Sequence, residues 1–350
     1  MGIDHAFVVV LAGGRGERFW PLSTGALPKA FLHLVGRESL LQATVRRARL
    51  VVPWPQILVV AGRAHADVVR AQLPELPDDN LLLEPFGRDT AAALGFASLH
   101  LERRDPEAVM AVLPADHHIP HGEAFAAGLG RALDVVKVHP NWVVTIGIPP
   151  TRPEIGYGYL EAGEALSEVP GAFSVRRFLE KPDLDTVWNL LQEGRYYWNS
   201  GMFIWRSATI QGLLERHMPE EWAGFRRIRE AWGREDVLVR EFSAFRRMSV
   251  DYGVLERMDS GMAMIRADFA WDDLGSWDAL ARVLPVEENG NVIIGDVRSL
   301  DTSGSVIIST DQRVATLGVS DMIVVASRHG VLVCPKGRSQ EVRRLVGETR

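Results

Sequence analysis

The sequence predicts an α/β fold: a doubly wound, mostly parallel sheet with a small β-rich module at its C-terminal end. Three observations predict it. Runs at Phe7–Ala12, Gln56–Ala61 and Ala108–Leu113 are almost wholly apolar, the pattern of strands buried on both faces. Segments with apolar residues at helical spacing separate them, which is the alternation of a wound sheet. After Gly290 the texture changes to short Val and Ile runs at 292–294, 306–308, 323–325 and 331–333, parted by Gly, Asp and Ser. The division expected is 1–285 for the larger domain and 286–350 for the module.

The elements follow in order. Ser39 to Val51 reads as a helix covering one sheet face, Arg63 to Leu73 as a second, and Asn80 to Leu83 as a short strand. Asp89 or Thr90 can cap the alanine-rich helix that runs to about Glu102. Helix is expected to Val138, strand at Trp142–Ile148 and Phe173–Glu180, and a helix at Leu184–Gln192 capped by Asp183. Met202 to Trp205 reads as strand, 207 to 258 as mainly helical, and Gln340 to Val346 as a short helix. In wound sheets ligands bind beyond the carboxyl ends of the strands, so the loops after Ala12, Leu83 and Leu113 are where chemistry is expected.

Composition narrows the classes. Of 350 residues, 47% are hydrophobic and 24% charged, ordinary globular values. A net charge of −6 and the lack of a long basic run argue against non-specific nucleic-acid binding. No basic stretch precedes the first apolar run and no run is long enough to span a bilayer, so neither a signal peptide nor a membrane partner is expected. The one cysteine, Cys334, lies among apolar residues and reads as a small core residue; with no internal partner it fits a reducing, cytoplasmic location.

The first loop carries the strongest signal. Gly13-Gly14-Arg15-Gly16 lets the backbone adopt positive φ and turn successive N–H groups toward an anion. Arg15, Arg18 and Lys29 add charge. The spacing is not that of a P-loop, which needs Gly-Lys-Ser/Thr. A dinucleotide fingerprint is half matched, with Phe19 at its last place, but Pro21 would interrupt the helix that such a fingerprint opens. The segment is therefore read as a long loop folded over a phosphate, which also argues against a dinucleotide-dependent oxidoreductase.

Gly-Gly-x-Gly-x-Arg, then Phe-Trp-Pro-Leu-Ser, then Pro28-Lys29 resembles the signature of sugar nucleotidyltransferases, and of mannose-1-phosphate guanylyltransferases in particular. The resemblance continues in order to Trp277 and weakens beyond 290. It implies a Rossmann-like nucleotide-diphospho-sugar transferase fold. The implied reaction joins GTP and mannose 1-phosphate, with Mg²⁺, to give GDP-mannose and diphosphate. The implied nucleotide contacts are Leu11, Ala12, Gly13, Gly14 and Gly16, with Glu84 and Arg88 from Glu-Pro-Phe-Gly-Arg-Asp-Thr. There the family has Asn at the place of Asp89 and Pro at the place of Ala92. Arg18, Lys29 and Lys181 are implied at the transferring phosphates. The family's Gly-Tyr-Gly loop, Glu-Lys-Pro and Asn-Ser-Gly motifs imply Tyr157, Gly158, Glu180 and Asn199 on the sugar. The aspartates of Leu-Pro-x-Asp and Trp-x-Asp-x-Gly-x-Trp imply Asp116 and Asp273 as metal ligands. Asp272 is adjacent, but neighbours in extended chain point apart. His117 and His118 lack a spaced partner for zinc and are read as structural.

Related guanylyltransferases often continue into a phosphomannose isomerase domain, for which the residues after 290 are too few. The tail instead resembles the left-handed β-helical module of single-function enzymes, which implies a homodimer and a truncation phenotype in assembly more than in chemistry. The alternatives weighed are a transferase of the same fold for another sugar or base, and a regulatory subunit that binds sugar nucleotide without turnover.

Overall fold

The computed structural model describes residues 5–347. The strands of the main sheet are β1 (Ala6–Leu11), β2 (Ile57–Gly62), β3 (Leu81–Glu84), β4 (Val109–Pro114), β5 (Val143–Ile148), β6 (Tyr159–Ala165), β7 (Ala172–Leu179), β8 (Tyr196–Arg206) and β9 (Met262–Arg266). Their order is β3-β2-β1-β4-β8-β5-β9-β7-β6, and β6 also pairs with β8. β1 to β4 are parallel to one another, as the apolar runs predicted. The second half is mixed. β8 is inserted antiparallel between β4 and β5, and β6 and β7 also run antiparallel to their neighbours. The mostly parallel sheet expected from the sequence therefore describes its N-terminal half.

Strand alternation divides the core in two. Val8 and Val10 of β1 face one layer, with helices α1 (Leu40–Ala48), α2 (Ala66–Gln72), α4 (Gly122–Val138) and α5 (Leu184–Glu193). Phe7 and Val9 face the other, with α3 (Thr90–Arg104), α6 (Ser207–His217), α7 (Pro219–Glu230), α8 (Glu235–Ala244) and α9 (Val250–Gly253). The helix starts obey local chemistry. Ser39 and Gln42 form a reciprocal capping box on α1. Asp89 accepts from the Thr90 N–H at the start of α3, and Asp183 from the Thr186 N–H at the start of α5.

After the short helix α10 (Leu280–Val283) the chain builds a module of six short strands. β10 (Val292–Ile294), β12 (Val306–Ser309) and β14 (Met322–Ser327) stack parallel, placing Val292, Val306 and Ile323 in one column. β11 (Val297–Leu300) and β13 (Val314–Leu317) stack parallel on a second wall. β15 (Gly330–Pro335) closes the first wall antiparallel, and α11 (Val342–Gly347) ends the described chain. This coiling of parallel strands is a β-helix. Cys334 shares the inward face of β15 with buried Leu332 but is only half-buried, near the strand's end, while Val331 and Val333 on the other face are exposed.

The module does not hang free. Its buried Val292, Val306, Ile308 and Ile323 form one core with Phe19, Leu32 and Leu34 of the first loop and with Leu274 and Trp277. Ser327 donates to the Pro21 carbonyl at 3.2 Å, and the Trp277 indole N–H donates to the Trp20 carbonyl at 3.1 Å. The first loop is thus clamped between the sheet and the β-helix.

Candidate active site

Two cavities meet at the carboxyl ends of β1 and β4. The larger, about 610 Å³, is a cleft bordered by Gly13, Gly14, Glu84, Thr90, Gly201 and Asp251. The smaller, about 380 Å³, is bordered by Gly16, Arg18, Lys29, Asp273 and Gly275. Arg15 and Asp116 line both, so the two form one continuous site.

Lys29 stands at the junction. It opens a short turn, Lys29–Phe31, and is buried although charged. Its Nζ donates to Asp116 Oδ2 at 2.8 Å and to the Asp273 carbonyl at 2.6 Å, and lies 5.8 Å from the centre of the Phe19 ring. Gly16 has φ of 61°, and a Cβ there would come within 2.5 Å of Lys29 Cβ. Glycine is required at that place because the lysine stem fills the space. Burial opposes ionisation of Asp116, but the Lys29 ammonium more than offsets it and holds that carboxyl below its ordinary range.

The two adjacent aspartates part as alternation predicts. Asp272 turns inward, pairing bidentately with Arg282 at 2.7 and 3.0 Å and capping the Leu274 N–H. Asp273 turns to the cavity; its Oδ1 accepts from the Tyr157 hydroxyl at 2.5 Å and from the Gly275 N–H at 3.1 Å. Asp116 and Asp273 are therefore brought together around one lysine. Each keeps an oxygen outside these bonds, Oδ1 of Asp116 and Oδ2 of Asp273. Arg18 donates to the Gly275 carbonyl at 3.4 Å on the same cavity wall.

Tyr157 is committed to Asp273. Burial, and after it the Asp273 carboxylate, push its phenol well above its ordinary range, so it remains a donor. His117 packs edge-on against Trp271 and accepts from its indole N–H at 3.1 Å, the structural role read from the sequence.

Among the expected nucleotide residues, Leu11, Gly13, Gly14 and Glu84 line the cleft. Ala12 is buried behind it, its N–H donating to the Val60 carbonyl at 2.8 Å. Glu84, the last residue of β3, is 5% exposed, and its Oε1 has no hydrogen-bond partner among the described residues. Burial, reinforced by Asp89, pushes its carboxyl up to about 7. Arg88 is turned away. It donates to the carbonyls of Phe242 and Ser243 at 2.7 and 2.6 Å, satisfying the C-terminal turn of α8, whose last carbonyls lack partners within the helix.

Among the residues expected at the sugar, Asn199 donates to Asp251 Oδ1 at 2.9 Å and accepts from Thr145 at 3.1 Å. The Glu180 side chain is 5% exposed and ion-paired with Lys181, which has φ of 49° and lies 5.5 Å from the centre of the Tyr252 ring. A Cβ on Gly158 would come within 2.5 Å of Glu180 Oε2. Asp251 joins this group from α9, which Ser249 caps by accepting from the Tyr252 N–H. Burial, and then Glu180, push its carboxyl up to about 7. The sequence marks Asp251-Tyr252 as the one informative pair in its helical stretch but assigns Asp251 no role; the available signal was an Asp just inside a Ser-capped turn.

A glycine turn, a cluster of cations and two carboxylates at the ends of parallel strands define a nucleotidyltransferase, and the chain belongs to the nucleotidyl transferase family, whose description it matches over residues 7–289. Residues 295–348 match the MannoseP isomerase/GMP-like beta-helix domain. Within the family the chain groups with the mannose-1-phosphate guanylyltransferases. The enzyme of that name from Escherichia coli (strain K12) is 36% identical over 99% of this chain and 74% of its own length. Xanthan biosynthesis protein XanB of Xanthomonas campestris pv. campestris (strain B100) is 37% identical over 97% of this chain and 72% of its own. The crystal structure described as mannose-1-phosphate geranyltransferase from Thermus thermophilus matches with a TM-score of 0.88 and 36% identity, covering 98% of each chain.

Proposed function

We propose that this site transfers the guanylyl group of GTP to mannose 1-phosphate. An oxygen of the sugar phosphate attacks the α-phosphorus in line, that new P–O bond forms, the bond to the β-phosphate bridge breaks, and diphosphate leaves. The nucleophile is an anion at neutral pH, so catalysis is positioning and charge stabilisation. The observation that carries the reading is Lys29, held between Asp116 and Asp273 where the two cavities meet.

The base and sugar occupy the larger cavity and the outer phosphates the smaller. Guanine offers N1–H and N2–H donors, and Glu84 Oε1 is a buried acceptor in want of one. Asn199, Asp251, Glu180 and Gly158 face the sugar hydroxyls, and Lys181 its phosphate. Arg18 and Lys29 meet the triphosphate over the Gly13–Gly16 turn.

The donor set fits Mg²⁺. Two carboxylates at one cavity suit a hard cation that takes its remaining ligands from phosphate and water. Among the described residues no cluster of three or more His, Cys, Asp or Glu could hold an ion. Asp116 and Asp273 would hold it; bound there, it draws charge from the phosphate oxygens.

We further read the enzyme as a cytoplasmic homodimer. Among the described residues no helix is long and apolar enough to cross a membrane. Leu300 and Leu317, in register on β11 and β13, are 63% and 70% exposed, an apolar pair available to a second copy. Light scattering tests that: a monomer at micromolar concentration removes the dimer. The activity test is diphosphate release from GTP, and separately from other triphosphates, with mannose 1-phosphate and Mg²⁺. GDP-mannose from GTP is the expected product; no release with any pair of substrates overturns the reading.

A further inference from the structure

Arg343 is a cation that the module delivers to the phosphate cavity. It lies on α11, which packs against the Glu17–Phe19 turn of the first loop. Val342 beside it is 3% exposed and shares a core with Phe19 and Trp277. The approach to the helix is pinned to the turn that follows Asp273. Asp278 accepts from the Gly337 N–H at 2.8 Å and from the Ser339 hydroxyl. The backbone carrying Arg343 is thus held by the same segment that carries Asp273.

The neighbouring arginines are spent elsewhere. Arg338 and Arg344 both pair with Glu341. Arg343 pairs with no carboxylate among the described residues, and its side chain borders the cavity of about 380 Å³ together with Arg15, Arg18, Lys29, Asp116 and Asp273. Four cations converge there, on three carboxylates when Glu17 is included. Lys29 is already bound to Asp116, and Arg15 is within 3.5 Å of Glu17. What remains is a positive surface for a polyanion.

We propose that Arg343 binds the β- and γ-phosphates of the incoming triphosphate and the diphosphate that leaves, so that the C-terminal module completes the active site. The assignment to the outer phosphates follows from layout. Glu84 and Asp251 line the other cavity, with Asn199 bonded to Asp251 behind it, so a nucleotide with its base there extends its distal phosphates past Asp116 toward Arg343. This rests on reading the cleft as a nucleoside triphosphate site.

The test is Arg343→Gln beside Arg343→Lys. Losing one charge-assisted contact raises KM for GTP, and KM for diphosphate in the reverse reaction, about tenfold. KM for mannose 1-phosphate and for GDP-mannose stays near wild type, and the lysine variant recovers part of the loss. Because the side chain is exposed, the melting temperature is unchanged. Calorimetric titration of diphosphate into wild type and Arg343→Gln needs no turnover, so it judges this inference even if the activity assay fails. Equal diphosphate affinity in the two proteins overturns it, as does a loss shared equally by GDP-mannose.

Discussion

Glu84→Gln isolates the base-recognition reading. Glu84 is almost fully buried, with one carboxylate oxygen unpartnered among the described residues and Asp89 nearby, and its carboxyl is pushed from the ordinary 4.5 up to about 7. The sign follows from proton counting. Between pH of about 4.5 and 7 the folded protein holds a proton that the unfolded chain has released, so stability falls as pH rises through that window. Above it the full penalty applies, about 3 kcal/mol for a displacement of this size. Glutamine keeps the shape and removes the charge. Urea titrations at about pH 5 and pH 8 should therefore show the variant gaining on wild type by about 2–3 kcal/mol between the two. GTP should reverse the preference. Its guanine donors satisfy the ionised carboxylate, so wild type binds GTP more tightly as pH rises through about 7. The variant should lack that dependence and lose about 10- to 100-fold in kcat/KM for GTP, with a smaller loss for ATP. Parallel stability curves for the two proteins, or unchanged GTP-over-ATP selectivity, would refute the assignment of Glu84.

Four further outcomes follow from the packing. Lys29→Ala should lower kcat by about two orders of magnitude, because it removes the cation between Asp116 and Asp273; a wild-type rate would take Lys29 out of the site. Asp273→Asn should raise the Mg²⁺ concentration for half-maximal rate about tenfold or more, and an unchanged metal titration would exclude it as a ligand. Gly16→Ala forces a Cβ onto Lys29 at a φ of 61°; it should cost about 1–2 kcal/mol in a denaturant midpoint and lower kcat as well, and a variant of normal stability would contradict the close approach. Removing residues 286–350 strips the core from Phe19, Leu32, Leu34 and Trp277. Turnover should be lost together with stability, whereas the sequence led to an effect on assembly more than on chemistry, and a truncated chain with full kcat would show that the first loop holds itself.

Wherever one short segment sets its own geometry, the sequence was readable. The glycine turn, the parallel strands β1 to β4, the caps at Asp89 and Asp183, and the opposed directions of Asp272 and Asp273 all depend on neighbours within a few residues. What could not be read depends on which distant segment arrives alongside. Arg88 lies beside a glycine loop, as a ligand arginine would, yet the open carbonyls of α8 arrive next to it and engage its Nε and one Nη. Tyr157 belongs to a loop read as sugar-facing, but the turn after Trp271 brings Asp273 to its hydroxyl. Asp251 becomes a site residue only because β8, entering antiparallel between β4 and β5, carries Asn199 to it. The same logic makes the first loop dependent on the module. Phe19 and Trp20 entered the sequence reading only as part of the Phe-Trp-Pro-Leu-Ser signature; they are the loop's contact with the β-helix, Phe19 in the shared core and Trp20 against Gly330. A loop rich in glycine has little rigidity of its own. Here its rigidity comes from a β-helix packed behind it, so the positions that hold Lys29 in register lie as far along the chain as Ile323 and Val342.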